Sequence, residues 1–154
     1  MAALAGWPVT VNATQASRAD FPSATCLITG DLDYAALNVT PASHVVIATL
    51  HKGDHLSMQK ALEGKAAYIG LIASRKRTGL ILDFLRGKGF GPDALASVYA
   101  PAGLDFGALN PTEIAFSILC EMVAVCRGGT GRPLAELETA PASGEADACR
   151  QLFH

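Results

Sequence analysis

Five short runs rich in β-branched residues, alternating with stretches of helical periodicity, constrain this chain more than any other feature of its sequence. They are Val9-Thr10-Val11, Thr25-Cys26-Leu27-Ile28, His44 to Ala48, Tyr68 to Ile72 and Ser97 to Ala100. Such alternation predicts an α/β domain in which a mostly parallel sheet lies between layers of helices. Val45-Val46-Ile47 is apolar without a break, as expected of a strand buried on both faces.

The intervening segments carry helix signals. Asp54 is placed to cap a helix running through Met58 and Leu62, which share a face. Ser74 is placed to cap the next, with Leu80, Ile81, Phe84 and Leu85 as its apolar stripe and Arg86-Gly87-Lys88-Gly89 as its stop. The strongest start is Asn110-Pro111 with Glu113, a capping box ahead of Ile114, Ile118 and Met122. That helix is expected to stop at Arg127-Gly128-Gly129. Beyond Pro133 the residues turn small and polar. One domain over 1–133 and a poorly packed tail over 134–154 are therefore expected.

A hydrophobic content of 50% over 154 residues is ample for one core. A net charge of −2 argues against a nucleic-acid surface. No apolar run reaches the roughly 18 residues a membrane span needs. The N-terminus lacks the basic region of a signal peptide, so a cytoplasmic location is expected. Cys26, Cys120, Cys126 and Cys149 form no C-x-x-C or other zinc or redox motif, and no metal site is expected. The first three are expected as buried thiols, and Cys149 as an exposed one.

A dinucleotide-binding unit opens with a strand, G-x-G-x-x-G and a helix. That fingerprint is absent. Ala2 to Gly6 resembles the end of that first helix, and the next strand reaches Asn12 where a ribose-binding acid is expected. The sheet is thus expected to lack the usual first strand and glycine-rich turn.

Three clusters fall where open α/β sheets bind ligands, beyond the carboxyl ends of strands. The first is His51-Lys52-Gly53-Asp54-His55, and its plain alternative is a capping Asp54 beside a solvated His51. In the second, Gly70 to Arg77, a strand runs into Ser74-Arg75-Lys76-Arg77. Cations in a first turn oppose the helix dipole, for which an anionic ligand is the simplest reason, and the plain alternative is a solvated basic face. The third is Ala100 to Gly107, where Gly103 and Gly107 permit positive φ; it is expected to share a rim with the others, or to be a structural connection. No complete catalytic motif occurs. His44 and His55 read as isolated, and His154 is terminal.

His51-x-x-Asp54, then Tyr68 to Arg77, then Ala100-Pro101-x-Gly103-Leu104-Asp105-x-Gly107 running into Asn110-Pro111-Thr112-Glu113-Ile114-Ala115-x-Ser117-Ile118 and Glu121, resemble the C-terminal domain of the XdhC/CoxI family in order and spacing. Ala73 stands where that family usually has glycine, and Ala48 where threonine is common. The family's separate N-terminal domain is not expected within these residues. The resemblance implies a Rossmann-like fold and a non-catalytic accessory role. That role is to bind the molybdenum cofactor and hand it, after sulfuration, to a client molybdenum hydroxylase of the xanthine dehydrogenase or carbon monoxide dehydrogenase type. A cysteine desulfurase is the implied second partner. The residues it implies as cofactor contacts are His51, Asp54, Gly70, Ser74, Arg75, Arg77, Pro101 and Gly103. The alternatives are an NAD(P)-binding oxidoreductase and a ligand-free dimeric interaction module. A homodimer is expected under every reading, because an open sheet edge recruits a second chain.

Overall fold

The computed structural model of the chain describes residues 1–49 and 53–137. Leu50, His51 and Lys52, and the expected tail from residue 138 onward with Cys149 and His154, lie outside the described residues. Two compact units are present, Met1–Ala102 and Gly103–His154.

The first unit opens with a 3-10 turn, Ala2–Ala5, closed by Gly6 in the left-handed conformation. There follow β1 (Thr10–Ala13), β2 (Cys26–Thr29), β3 (His44–Ile47), α1 (Asp54–Glu63), β4 (Tyr68–Leu71), α2 (Arg75–Gly87), α3 (Pro92–Leu95) and β5 (Val98–Tyr99). Every strand pairing is parallel: Thr10 lies opposite Cys26, His44 opposite Tyr68, and Ile69 opposite Val98. The pairings make two sheets, of order β1-β2 and β3-β4-β5. The fold is Rossmann-like α/β, with α1 as the crossover from β3 to β4 and α2 and α3 as that from β4 to β5.

Side chains alternate across β4, and the two faces differ. Ile69 and Leu71 join Ile47, Met58, Ala61, Leu62, Ile81 and Leu85 in the core beneath α1 and α2. On the other face Tyr68 stacks on Tyr99, with ring centroids 4.8 Å apart, and on His44 at 6.4 Å. The His44 ring meets Trp7 at 5.3 Å. His44 is therefore not isolated, and burial pushes its pKa below the ordinary 6.5. His55 is not isolated either, since its ring lies 4.5 Å from that of Phe84.

Two burial expectations are corrected. Val46 is 41% exposed, although Tyr68, Ile69 and Leu71 of β4 are at most 1% exposed. The reason is position: β4 has a strand on each side, whereas β3 has one. Cys26 is exposed and Cys120 half-buried, because an apolar neighbourhood in sequence does not set which face a side chain takes. Cys126 is disulfide-bonded, not a thiol.

In the second unit α4 spans Pro111–Arg127, and a 3-10 turn spans Leu134–Glu136. Asn110 and Glu113 form the expected capping box, and Gly128 closes the helix at φ 68°. Among the described residues no helix is long and apolar enough to cross a membrane.

Candidate functional site

Because β3 and β4 are parallel, their carboxyl ends lie on one side of the sheet, and α1 and α2 both begin there. Asp54 does not cap α1. Gly53, at φ 92°, is the N-cap, and Asp54 is the first helical residue with no capping bond from its side chain. A glycine in the left-handed region starts the helix one residue before the Asp54 position can cap it. The Asp54 carboxylate is instead 2% exposed, and its Oδ2 accepts from both Nε and Nη2 of Arg77 at 2.6 Å. A carboxylate removed from water needs such a partner.

The pairing is incomplete. Asp54 Oδ1 is buried and has no hydrogen-bond partner among the described residues, and the same holds for the hydroxyls of Thr49 and Thr78. Buried polar atoms are nearly always partnered, so these three atoms, which follow the carboxyl ends of β3 and β4, single out this edge as the candidate site. Tyr34 borders it: a Cβ on Gly53 would lie 3.1 Å from the Tyr34 hydroxyl. Tyr34 itself sits at φ 57°, a conformation rare for a bulky residue.

The start of α2 adds charge. The Ser74 Oγ accepts from the Arg77 N–H at 3.3 Å, as expected of an N-cap. Arg75 and Lys76 follow on the exposed surface, with no acid in the first turn. Their backbone N–H groups have no intrahelical acceptor, so the helix start is positive in both dipole and side chains.

The Ala102 N–H donates to the Leu71 carbonyl at 3.0 Å, which brings Pro101, joined to Ala100 by a cis peptide bond, to the carboxyl end of β4. Asp54, Ser74, Arg75, Arg77 and Pro101 thus share one rim. Gly70 does not, because it lies within β4, where a Cβ would come within 2.7 Å of the Tyr68 hydroxyl. Gly103 belongs to the second unit. Its N–H donates to Glu121 Oε2 at 2.9 Å, and a Cβ there would overlap the Ser117 hydroxyl.

Asn12 is committed to Asp31, whose Oδ2 accepts from Asn12 Nδ2 at 2.9 Å. The Asp31 carboxylate also accepts from the N–H groups of Ala35 and Ala36, so it holds the loop after β2 in place. Reading the sequence missed Tyr34, Thr49 and Thr78. Thr49 carries a usable signal, directly after an apolar strand run; Tyr34 and Thr78 carry none, because only the fold brings them to this edge.

A family model described as the XdhC Rossmann domain matches residues 1–122. The chain is 37% identical over 114 residues to an uncharacterized protein, YqeB, of Escherichia coli strain K12, covering 72% of this chain and 21% of that protein. It is 31% identical over 106 residues to a Bacillus subtilis strain 168 protein described as a probable xanthine dehydrogenase subunit, covering 67% and 30% respectively. A crystal structure described as a xanthine dehydrogenase from Bacillus halodurans matches with a TM-score of 0.71 and 27% identity, over 88% of this chain and 39% of that one. The chain spans less than half the length of each of these relatives.

Proposed function

This chain belongs to the XdhC Rossmann-domain family, and from that premise we propose that it serves the maturation of a molybdenum hydroxylase. In this reading it holds the molybdenum cofactor at the carboxyl ends of β3 and β4 and passes it to a client enzyme related to xanthine dehydrogenase. One observation carries the reading: a buried Asp54 carboxylate, neutralised by Arg77 through Oδ2, whose Oδ1 has no partner among the described residues.

The residues fit the group. The cofactor is a phosphate-bearing pterin, whose N–H donors suit a buried oxygen that can only accept. Its phosphate suits a capped helix start that carries cations and no acid. Ser74 and Arg75 hold the phosphate together with the first-turn N–H groups of α2. Arg77 acts through Asp54 as a positioning residue. Pro101 borders the site, and His51, next to it in sequence, remains a proposed contact. The sulfur for the cofactor comes from a partner of the cysteine desulfurase class.

Titration calorimetry with cofactor released anaerobically from a molybdenum hydroxylase tests this, with NAD(H) run alongside. The Arg75→Ala variant is expected to bind about tenfold more weakly, because a charge-assisted hydrogen bond contributes roughly 1.5 kcal/mol. Equal affinity in parent and variant, or binding of NAD(H) in place of the cofactor, overturns the proposal.

A further inference from the structure

Helix α4 is apolar on two opposite faces, and only one of them is well covered. Ser117, Ile118 and Met122 lie on the buried face. Phe116, Leu119, Cys120 and Val123 recur at the three- and four-residue spacing of a continuous stripe, and that stripe lies opposite the buried face. Phe116 is 53% exposed, and Leu119, Cys120 and Val123 are half-buried. The last three line an open groove of about 430 Å³, bordered by Leu104, Phe106 and Arg132. Phe106 extends the apolar surface, since its ring meets that of Phe116 edge-on at 6.5 Å. A helix that is apolar all round is normally covered all round.

The stripe reads the same in both directions. Its steps of three, one and three residues are symmetric about the midpoint between Leu119 and Cys120. Two α4 helices packed antiparallel about a two-fold axis at that midpoint set Phe116 of each against Val123 of the other, a large side chain against a small one. Leu119 then meets its own counterpart on one side of the axis, and Cys120 meets its own on the other. Charge agrees. The same operation brings Arg127, at the end of one helix, to the first turn of the other, where Glu113 is the acid. Area agrees as well. The stripe and Phe106 together expose roughly 300 Å² of apolar surface per copy, so a pair covers about 600 Å². Protein interfaces are about 60% apolar, so this corresponds to about 1,000 Å² in all, the size at which specific interfaces begin.

We propose that the open face of α4 binds a second copy of this chain, α4 against α4, with Cys120 beside Cys120 across the two-fold axis. Packed helices approach to about 8–10 Å between axes, which sets the two Cys120 Cα atoms about 6 Å apart, within the span of a disulfide. Cys120 carries a free thiol, so the contact has its own reporter. The proposal stands on α4 and its groove alone and is independent of what the rim at β3 and β4 binds.

The test uses the full chain with Cys26→Ser, which removes the exposed thiol. Sedimentation is expected to show a monomer–dimer equilibrium. Mild oxidation with copper phenanthroline, without prior reduction, is expected to trap a dimer whose Cys120–Cys120 bond is located by mass spectrometry of the digest. Phe116→Asp changes an exposed position, and circular dichroism is expected to show the fold retained. It should weaken association about hundredfold, because each dimer loses two buried rings at about tenfold apiece. A chain that stays monomeric at high concentration overturns the proposal. So does a dimer that Phe116→Asp leaves intact or that forms no Cys120–Cys120 bond, since its contact lies on another face. Resistance of Cys120 to thiol reagents in the monomer overturns it too, because residues 138–154 of the same chain would then be the occupant of the groove.

Discussion

Helices α2 and α4 begin alike and are finished differently. Each has a side-chain cap, Ser74 on α2 and Asn110 on α4. At α4 the Asn110 Oδ1 accepts from the Glu113 N–H at 3.0 Å, and Glu113 Oε2 accepts from the N–H groups of Leu109 and Asn110 at 2.7 and 3.2 Å. That start is closed on itself, with a carboxylate against the positive end of the dipole. At α2 the same position in the turn is Arg77, preceded by Arg75 and Lys76, and the nearby Asp54 is drawn into pairing with it. The α4 start is arranged for stability. The α2 start gives up local stability and concentrates donors and positive charge at one edge, which is the arrangement the proposed anion site needs.

The largest expected contrast comes from Arg77→Met, which leaves the Asp54 carboxylate buried without its cation. Urea denaturation is expected to show a loss of about 3 kcal/mol. A loss below the value for the Asn110 variant would mean that Asp54 is not held as the structure has it. Asn110→Ala should cost about 1 kcal/mol through loss of the capping box and leave phosphate binding untouched. Arg75→Glu inverts the comparison by giving α2 the kind of first turn that α4 has. It is expected to raise stability by a few tenths of a kcal/mol, relieving the dipole, while abolishing binding of inorganic phosphate. A stability loss instead would show that the α2 start is not electrostatically strained.

The smallest effect is in acid. Hydrogen bonds from the Leu109 and Asn110 N–H groups hold the Glu113 carboxyl below its ordinary 4.5. A lowered folded pKa stabilises fully above pH 4.5, and that contribution is lost as the pH falls through the folded value. Glu113→Gln should flatten this part of the acid unfolding curve, and an unaltered curve would place the acid sensitivity elsewhere.

What was legible in the sequence was local. Ser74, Asn110-Pro111 with Glu113, and the apolar stripe of α2 are short-range signals, and each produced the helix it announced. The positive helix start was legible for the same reason, because three cations oppose the dipole within one turn. Gly70 and Gly103 were legible as special positions but not in purpose. Each is glycine because a neighbour fills the space of its Cβ, Tyr68 in one case and Ser117 in the other.

Taken alone, the sequence determined the order of the five strands and of helices α1, α2 and α4, and their parallel pairing, since periodicity, caps and crossover length act within tens of residues. Only the tertiary structure decided that Asp54 turns inward to Arg77, that the Thr49 and Thr78 hydroxyls are left without partners among the described residues, that His44 joins an aromatic row, and that Val46 is exposed. Those outcomes depend on which residues stand opposite across a sheet or at the end of a neighbouring helix. No spacing along the chain encodes that, because it is set by how separately formed elements bury their apolar faces together.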